Sequence, residues 1–315
     1  MKKTRLVILK RLGDTLSMKL KFLGVRGSRP THKRNLLGYG GNSTSLEFCL
    51  EGENFYLFLD GGSGLAWRGD QIAKKDHGKK FHFLVTHTHW DHILGYPFFA
   101  PIYDERNTLI FYASKTTRSS FTDLFFGLQR MSNLPVPISH LKAKLNFETI
   151  VPDSTFLIED KVTVSTMQLN HQGVTLGYRI EHGNDSVCII TDNAPIENGN
   201  FLGENMFTDE SLSFIEKQEL FEAKLVKFLT GAHTVVFYKH FTEDNLKPDW
   251  GHSTPHRALD FCSKAGVKRL ILFHHAPEEN DSAVDDKVQS IFTKACHLGI
   301  EVVAASENEE WELCA

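Results

Sequence analysis

The chain has 315 residues, 41% of them hydrophobic and 23% charged, with a formal net charge of −4. This composition suits a globular protein with a large core, and the slightly acidic balance excludes a globally basic nucleic-acid footprint. No apolar run approaches the roughly 18–20 residues that a membrane span needs, and the five cysteines form no CxxC pair or metal spacing, as expected for structural thiols in a reducing cytoplasm.

Residues 1–17, "MKKTRLVILKRLGDTLS", carry Lys2, Lys3, Arg5, Lys10 and Arg11 against Asp14. Their apolar stretch Leu6–Leu9 is too short for a signal peptide. They read as a basic tail, either disordered or an over-extended start with Met18 as the natural one. From Met18 onward, short apolar runs punctuated by Gly, Asp, Asn and Pro predict strands over Lys19–Val25, Ser43–Leu50, Phe55–Asp60, Phe81–Thr86 and Thr108–Tyr112. Further strands are expected over Lys161–Leu169, Leu176–Glu181, Val187–Thr191, Thr234–Tyr238, Arg269–Phe273 and Glu301–Ala304. Helical stretches fall at Lys115–Met131, Asp209–Leu229, Thr254–Ala265 and Ala283–Leu298. The third is framed by a Ser253-Thr254-Pro255 start and by Gly266. No repeat or flexible linker divides residues 18–315, so a single α/β domain is expected.

The stretch "THTHWDH" follows the apolar run Phe81–Val85. His87 and His89 then lie in the loop at the strand's C-terminal end, where α/β proteins place their sites. Alternation lets them point the same way, while Asp91 and His92 open the next helix and face a neighbouring point. Imidazole and carboxylate together suit Zn²⁺ and similar divalent ions.

"HTHWDH" resembles the HxHxDH signature of the metallo-β-lactamase superfamily. The resemblance implies a four-layer αβ/βα sandwich, two mixed sheets flanked by helices, with two divalent metals at the sheet edge. It also implies later ligands in the order His, Asp, His, each at a strand end. His171 after "VSTMQLN", Asp192 after "VCIIT" and His274 after "RLILF" match that order. Carried over, His87, His89 and His171 hold one metal, Asp91, His92 and His274 the other, and Asp192 bridges them. His275 is the rival of His274, which directly follows the apolar run. Zn²⁺ is the first expectation for both metals, and Mn²⁺ or Fe²⁺ fits the same N/O ligands. Asp91 is expected both to ligate and to orient the attacking hydroxide.

A finer resemblance covers most of Met18–Ala315. "GVRGSRP", "YGGNSTSLEF", "LDGGSGL", "THTHWDHILGYPFFAPIY", "NHQGVTLGYRI", "DWGHSTP" and "LILFHHAPEEND" are similar to a bacterial branch near the cyclic-nucleotide phosphodiesterases and the tRNA 3′-processing endonucleases. It implies hydrolysis of a phosphodiester. His252 of "WGHST" would be the general acid or a phosphate ligand. Relatives in that branch are often dimers, so a homodimer is a further expectation.

Two departures stand out. Relatives usually carry an acidic pair residue before "GHST"; this chain has Phe237 and Tyr238 there, with Asp249 or Glu243 as potential substitutes. Gln172 stands where relatives more often have Pro.

"LDGGSGL" places Gly61, Gly62 and Gly64 either in structural turns or in a floor under the metals, and Asp60 is expected to support a metal-binding histidine. The aromatics of "GYPFFAPIY" and "FTDLFFG" are core residues or an interface. Alternatively, Phe98, Phe99 and Phe126 form a wall for stacking a base. The cluster "KKDHGKK" reads as a solvated turn, and no basic arm for a folded RNA is visible. A small cyclic nucleotide is therefore the first substrate expectation, RNA 3′-end cleavage the alternative, and a binding or regulatory protein with a weakened site the third.

Overall fold

A computed structural model describes residues 17–32, 38–115, 121–130, 138–196, 202–239 and 251–313. The expected basic tail thus lies, but for Ser17, outside the described residues. Strands β1 (Met18–Gly24), β2 (Ser45–Leu50), β3 (Phe55–Leu59), β4 (Lys80–Leu84), β5 (Thr108–Ser114) and β6 (Lys144–Ile150) build the first sheet with the C-terminal β14 (Glu310–Glu312). Its order is β14-β1-β2-β3-β4-β5-β6, antiparallel up to β3 and parallel from there. The second sheet holds β7 (Thr155–Ile158), β8 (Val162–Leu169), β9 (Thr175–His182), β10 (Asp185–Ile190), β11 (Thr234–Tyr238), β12 (Arg269–Phe273) and β13 (Glu301–Ala304). It is antiparallel from β7 to β10 and parallel from β10 to β13.

Period-two alternation sorts each strand's side chains into separate cores. Leu57, Leu59 and Leu84 from the first sheet meet Val187, Ile189, Val236, Tyr238, Ile271 and Phe273 from the second in a core between the sheets. The opposite face of the first sheet sends Phe58, Phe81, Phe83 and Phe111 outward, towards α1 (Gly64–Ala73) and α3 (Phe121–Arg130). Cys188, Ile190, Val235, Phe237, Leu270 and Leu272 do the same on the second sheet, beneath α4 (Phe214–Leu229), α5 (Pro255–Ala265) and α6 (Asp281–Leu298). The result is the expected four-layer sandwich of two mixed sheets flanked by helices.

Helix boundaries follow their caps. The α4 helix starts at Phe214, inside the expected Asp209–Leu229, because Ser213 and Glu216 close a reciprocal capping box. Thr254 caps α5 ahead of Pro255, and Gly266 ends it in the left-handed region at φ 73°. Besides three short 3₁₀ segments, four elements among the described residues were not anticipated. Gly64 and Gly69 weaken the helical pattern of α1, β7 has four residues and β14 three, and β6 mixes polar and apolar residues on both faces. Of the expected Lys115–Met131 helix, Phe121–Arg130 is helical.

Two buried cations brace the base of the strand ends. Arg26 is fully buried; its guanidinium donates to the carbonyls of Gly40 (2.8 Å), Ala276 (3.1 Å) and Glu279 (2.9 Å). Lys239, also buried, faces Glu279 Oε2 at 3.4 Å, and Lys287 pairs with the same carboxylate. Burial pulls Lys239 down from 10.5 to about 7, with Glu279 opposing and Lys287 assisting. Between those values the unfolded chain keeps a proton that the folded chain has released, so this residue's contribution to stability rises with pH across that window. The urea midpoint of the native protein, measured relative to Lys239→Met, should increase from pH ~7 to pH ~10. A constant difference would show that Lys239 does not titrate there.

Candidate metal centre

The ligand-type residues sit where strands end. After β4, residues 85–89 form a loop leading into the short helix α2 (Trp90–Ile93). His171 follows β8, Asp192 follows β10, His274 follows β12, and His252 precedes α5. Folding brings all of them to one edge of the sandwich. Side-chain donor atoms of His87, His89, His171 and Asp192 lie within 4.8 Å of one another, as do those of Asp91, His92 and His274, and those of Asp192, His252 and His274.

Asp192 is at the centre. Its Oδ2 lies 3.4 Å from His87 Nε2, 3.5 Å from His92 Nε2 and 3.8 Å from His171 Nε2. Its Oδ1 faces His252 Nδ1 at 3.2 Å and His274 Nε2 at 3.5 Å. Asp91 Oδ2 lies 3.1 Å from His274 Nε2 and 3.3 Å from His92 Nε2, and accepts the Ser28 backbone N–H at 2.7 Å. His89 Nδ1 and His171 Nε2 are 3.2 Å apart.

A surrounding set of hydrogen bonds turns the imidazoles inward. Asp60, fully buried, accepts the Thr86 N–H (2.8 Å), the Thr86 hydroxyl (2.9 Å) and His92 Nδ1–H (2.7 Å). Having given its one proton to Asp60, the Thr86 hydroxyl accepts His87 Nδ1–H at 3.0 Å. His171 Nδ1–H donates to the Gly251 carbonyl at 3.0 Å. His87, His92 and His171 thereby present Nε2 to the cluster, the tautomer that ligation needs. His275 turns away, its Nε2 donating to the Ala305 carbonyl at 2.9 Å, so of the two adjacent histidines it is His274 that faces the cluster. His274 does so at φ 61°, a conformation uncommon outside glycine.

Two glycines allow the close approaches. A Cβ on Gly62 would come within 2.5 Å of the carbonyl oxygens of Asp91, Ser43 and Thr44. One on Gly251, at φ 82°, would lie 1.8 Å from His171 Nδ1. Gly251→Ala should therefore displace the His171 ring and lower metal affinity about 10- to 100-fold, the usual effect of losing a ligand's orienting partner. Metal content per chain after dialysis checks this, and full retention would refute it.

The electrostatics suit cations. Burial favours a neutral Asp91, but His92 and His274 outweigh it and hold the carboxyl well below the usual range. Asp192 is likewise held down against burial by His274 and His252. Burial depresses His87 and His89 and brings His171 down to about 3. Ionised carboxylates and neutral imidazoles are the protonation states that bind divalent metals. His92 behaves differently: burial lowers it, but Asp91 and Asp60 prevail and raise it well above its ordinary value. It would release a proton as a metal arrived.

Buried His87 Nε2, His92 Nε2 and Asp192 Oδ1 have no hydrogen-bond partner among the described residues. Orphaned buried polar atoms are costly, and a cation facing them would satisfy all three. The residues present therefore fit divalent metals.

The aromatic wall needs correction. Phe99 is buried against Phe58, Phe81 and Phe83, and Phe126 packs on Phe125 and Phe147. Both serve the outer core, and Phe98 alone of the three is largely exposed. Phe237 packs on Phe261 beneath α5, whereas Tyr238 faces inward and stacks on His274 with centroids 5.2 Å apart. Asp249 and Glu243 lie outside the described residues; among the described residues Asp192 faces His252. Gln172 joins Thr86, Thr88, His89, Ser114 and Gly173 around a cleft beside the cluster. Sequence reasoning did not anticipate the Ser28 N–H on Asp91 or the Thr86 relay; "GVRGS" and the Thr before His87 were the available signals.

A family model described as "Beta-lactamase superfamily domain" matches residues 71–275. A protein named Ribonuclease Z from Streptococcus agalactiae is 25% identical over 294 residues, covering 82% of this chain and 89% of that protein. Among solved structures, the metallo-beta-lactamase fold protein YhfI from Bacillus subtilis superposes with a TM-score of 0.65 at 17% identity, covering 94% of this chain and 99% of that one. Human tRNase Z, short form, gives a TM-score of 0.61 at 17% identity, covering 94% and 100%. These structures share the fold. With the family model spanning well over half its length, and strand ends that carry "HTHWDH" into one histidine–aspartate cluster, the chain belongs to the beta-lactamase superfamily.

Proposed function

We propose that this chain is a two-metal phosphodiesterase that cleaves a small phosphodiester, with cyclic nucleotides as the first substrate class. The observation that carries this reading is the convergence of two N/O donor groups on Asp192, whose two oxygens face histidines of both. His87, His89 and His171 would hold one ion, Asp91, His92 and His274 the other, with Asp192 between them. Bound divalent cations, zinc first, would supply an acidified water of pKa near ~7 and positive charge against a phosphate oxygen.

The chain's own residues do the rest. The Ser28 N–H fixes the Asp91 carboxylate, and Asp60 fixes the His92 ring. His252, its Nδ1 directed at Asp192, is the proton donor to the leaving alkoxide through Nε2. The unpaired thiols among the described residues fit a reducing cytoplasm. No helix among the described residues is long and apolar enough to cross a membrane.

The test is hydrolysis of bis-p-nitrophenyl phosphate and a panel of cyclic nucleotides by protein of measured metal content, beside Asp91→Ala and His252→Ala. Chelation and Asp91→Ala should remove activity. On the cyclic nucleotides, whose leaving alkoxide needs a proton, His252→Ala should cost about 10²- to 10⁴-fold in kcat, the range for a general acid, with metal content retained, and far less on bis-p-nitrophenyl phosphate, whose phenolate leaves without one. Equal background rates in native protein and Asp91→Ala would leave a binding or regulatory protein instead.

RNA 3′-end cleavage is the second reading, motivated by the relative named Ribonuclease Z. It requires binding of a tRNA precursor that weakens steeply with salt. The net charge of −4 and the pairing of Arg29, near Asp91 in the fold, with Glu278 argue for the smaller substrate. Cleavage of a tRNA precursor with no turnover of cyclic nucleotides would reverse the order.

A further inference from the structure

Trp90 lies between His89 and Asp91, both of them members of the donor groups. Both flanking residues are fixed. His89 approaches His171, Asp91 receives the Ser28 N–H, and the His92 N–H donates back to the His89 carbonyl at 3.0 Å. Along α2 the next three residues, Asp91, His92 and Ile93, are buried, whereas Trp90 is 58% exposed. Among the described residues it is the most exposed aromatic side chain, and it makes no ring contact there, unlike the nearby Tyr96 and Phe99, which pack into the core.

A large apolar ring held in water one residue from the cluster, on a backbone fixed by ligand-type residues, offers an open face to a planar partner. Among the described residues the adjacent cleft is lined by hydroxyl and amide groups from Thr86, Thr88, Ser114 and Gln172 and by no Phe, Tyr or Trp ring. A ring at the rim would supply the flat π face that these groups lack. Consecutive Cα atoms are about 3.8 Å apart, so the indole springs from one residue away from a ligand-type residue on either side. That spacing suits a molecule that carries a phosphate and an aromatic base joined by a sugar.

We propose that Trp90 is a specificity-determining residue that stacks the base of a nucleotide substrate while its phosphodiester lies at the Asp192 cluster. This deepens the phosphodiesterase reading and rests on it. Stacking on an indole tolerates any base, so the site selects nucleotides over aliphatic diesters without selecting among bases.

The test uses the metal-loaded full chain and two probes, adenosine 5′-monophosphate and ribose 5-phosphate, which share a sugar phosphate and differ in the base. Binding is read by calorimetry in the native protein, Trp90→Ala, Trp90→Phe and Phe98→Ala, with circular dichroism and metal content confirming folding and loading. The native protein should bind the nucleotide at least about tenfold more tightly than the sugar phosphate, and Trp90→Ala should remove most of that ratio, about one decade being 1.4 kcal/mol. Trp90→Phe should restore much of it. Equal ratios in native protein and Trp90→Ala would overturn the proposal, as would loss of the ratio in Phe98→Ala alone. The two readings fail separately. A protein that cleaves bis-p-nitrophenyl phosphate but keeps its ratio without Trp90 sinks only this inference. One that loses its ratio with Trp90 yet cleaves no diester sinks only the hydrolase.

Discussion

Asp192→Ala should lower kcat/KM for bis-p-nitrophenyl phosphate by at least about 10³-fold, some ~4 kcal/mol of transition-state stabilisation at 1.36 kcal/mol per decade. Asp192 is fully enclosed, and its two oxygens face five imidazoles: His87, His92 and His171 on one side, His252 and His274 on the other. Alanine would remove the only charge common to both donor groups and leave histidines facing one another. On the two-metal reading, ions held side by side would repel and a carboxylate between them would offset that repulsion. Metal content of the variant should then fall below that of the native protein. Asp192→Asn separates charge from shape, since it keeps the volume and one acceptor oxygen while losing the negative charge. It should lie closer to alanine than to the native protein. A variant that held two ions and retained native kcat would show that Asp192 is structural.

Arg26→Met should destabilise the fold by about 2–4 kcal/mol, because buried carbonyls lose their donor and each unsatisfied buried acceptor costs about 1–3 kcal/mol. Arg26 has no exposed surface, and its guanidinium holds the carbonyls of Gly40, Ala276 and Glu279. Its backbone bridges Ser43 on one side and His275 on the other. Methionine fills much of the volume but satisfies none of those acceptors, so the loss is electrostatic and not a cavity effect. Urea unfolding with a reduced midpoint and unchanged slope would meet the expectation. A midpoint within experimental scatter of the native one would mean that water replaces the guanidinium at no cost. Because the tethered segment follows directly on His274, the same substitution should also loosen metal binding in the Asp91–His92–His274 group.

Much of this site could be read from the chain because chemistry and topology coincide there. Four ligand-type residues crowd into His87–His92, and the resemblance to the metallo-β-lactamase superfamily singled out His171, Asp192 and His274 among the strand-end residues. The departure at Phe237 and Tyr238 was visible, but its meaning depended on strand phase. Alternation sends Phe237 under α5 and Tyr238 onto His274, so only one of the two adjoins the site. The parts that escaped are those without local periodicity. The α1 helix hides behind two glycines, and β14 exists only by pairing with β1, where Lys19 and Lys21 meet Glu312 and Glu310. The role of Arg26 rests on carbonyls up to 253 residues away. The aromatics of "GYPFFAPIY" read first as core or interface and alternatively as a stacking wall, and burial places Phe99 in the core. Trp90 shows the converse, an aromatic within the most legible motif whose exposure no pattern announces.

The donor groups also straddle the sandwich. His87, His89, Asp91 and His92 arrive with the first sheet; His171, Asp192 and His274 arrive with the second, and Asp91 meets His274 across 183 positions of chain. Neither sheet alone carries a complete set for either ion. On the two-metal reading, a complete ligand set would form only once both halves have docked, which would make metal capture a late event in folding. An ion taken up reports that assembly has finished. Withdrawing it would not undo the sheets, but would remove a clasp whose strength grows with the free metal concentration around it.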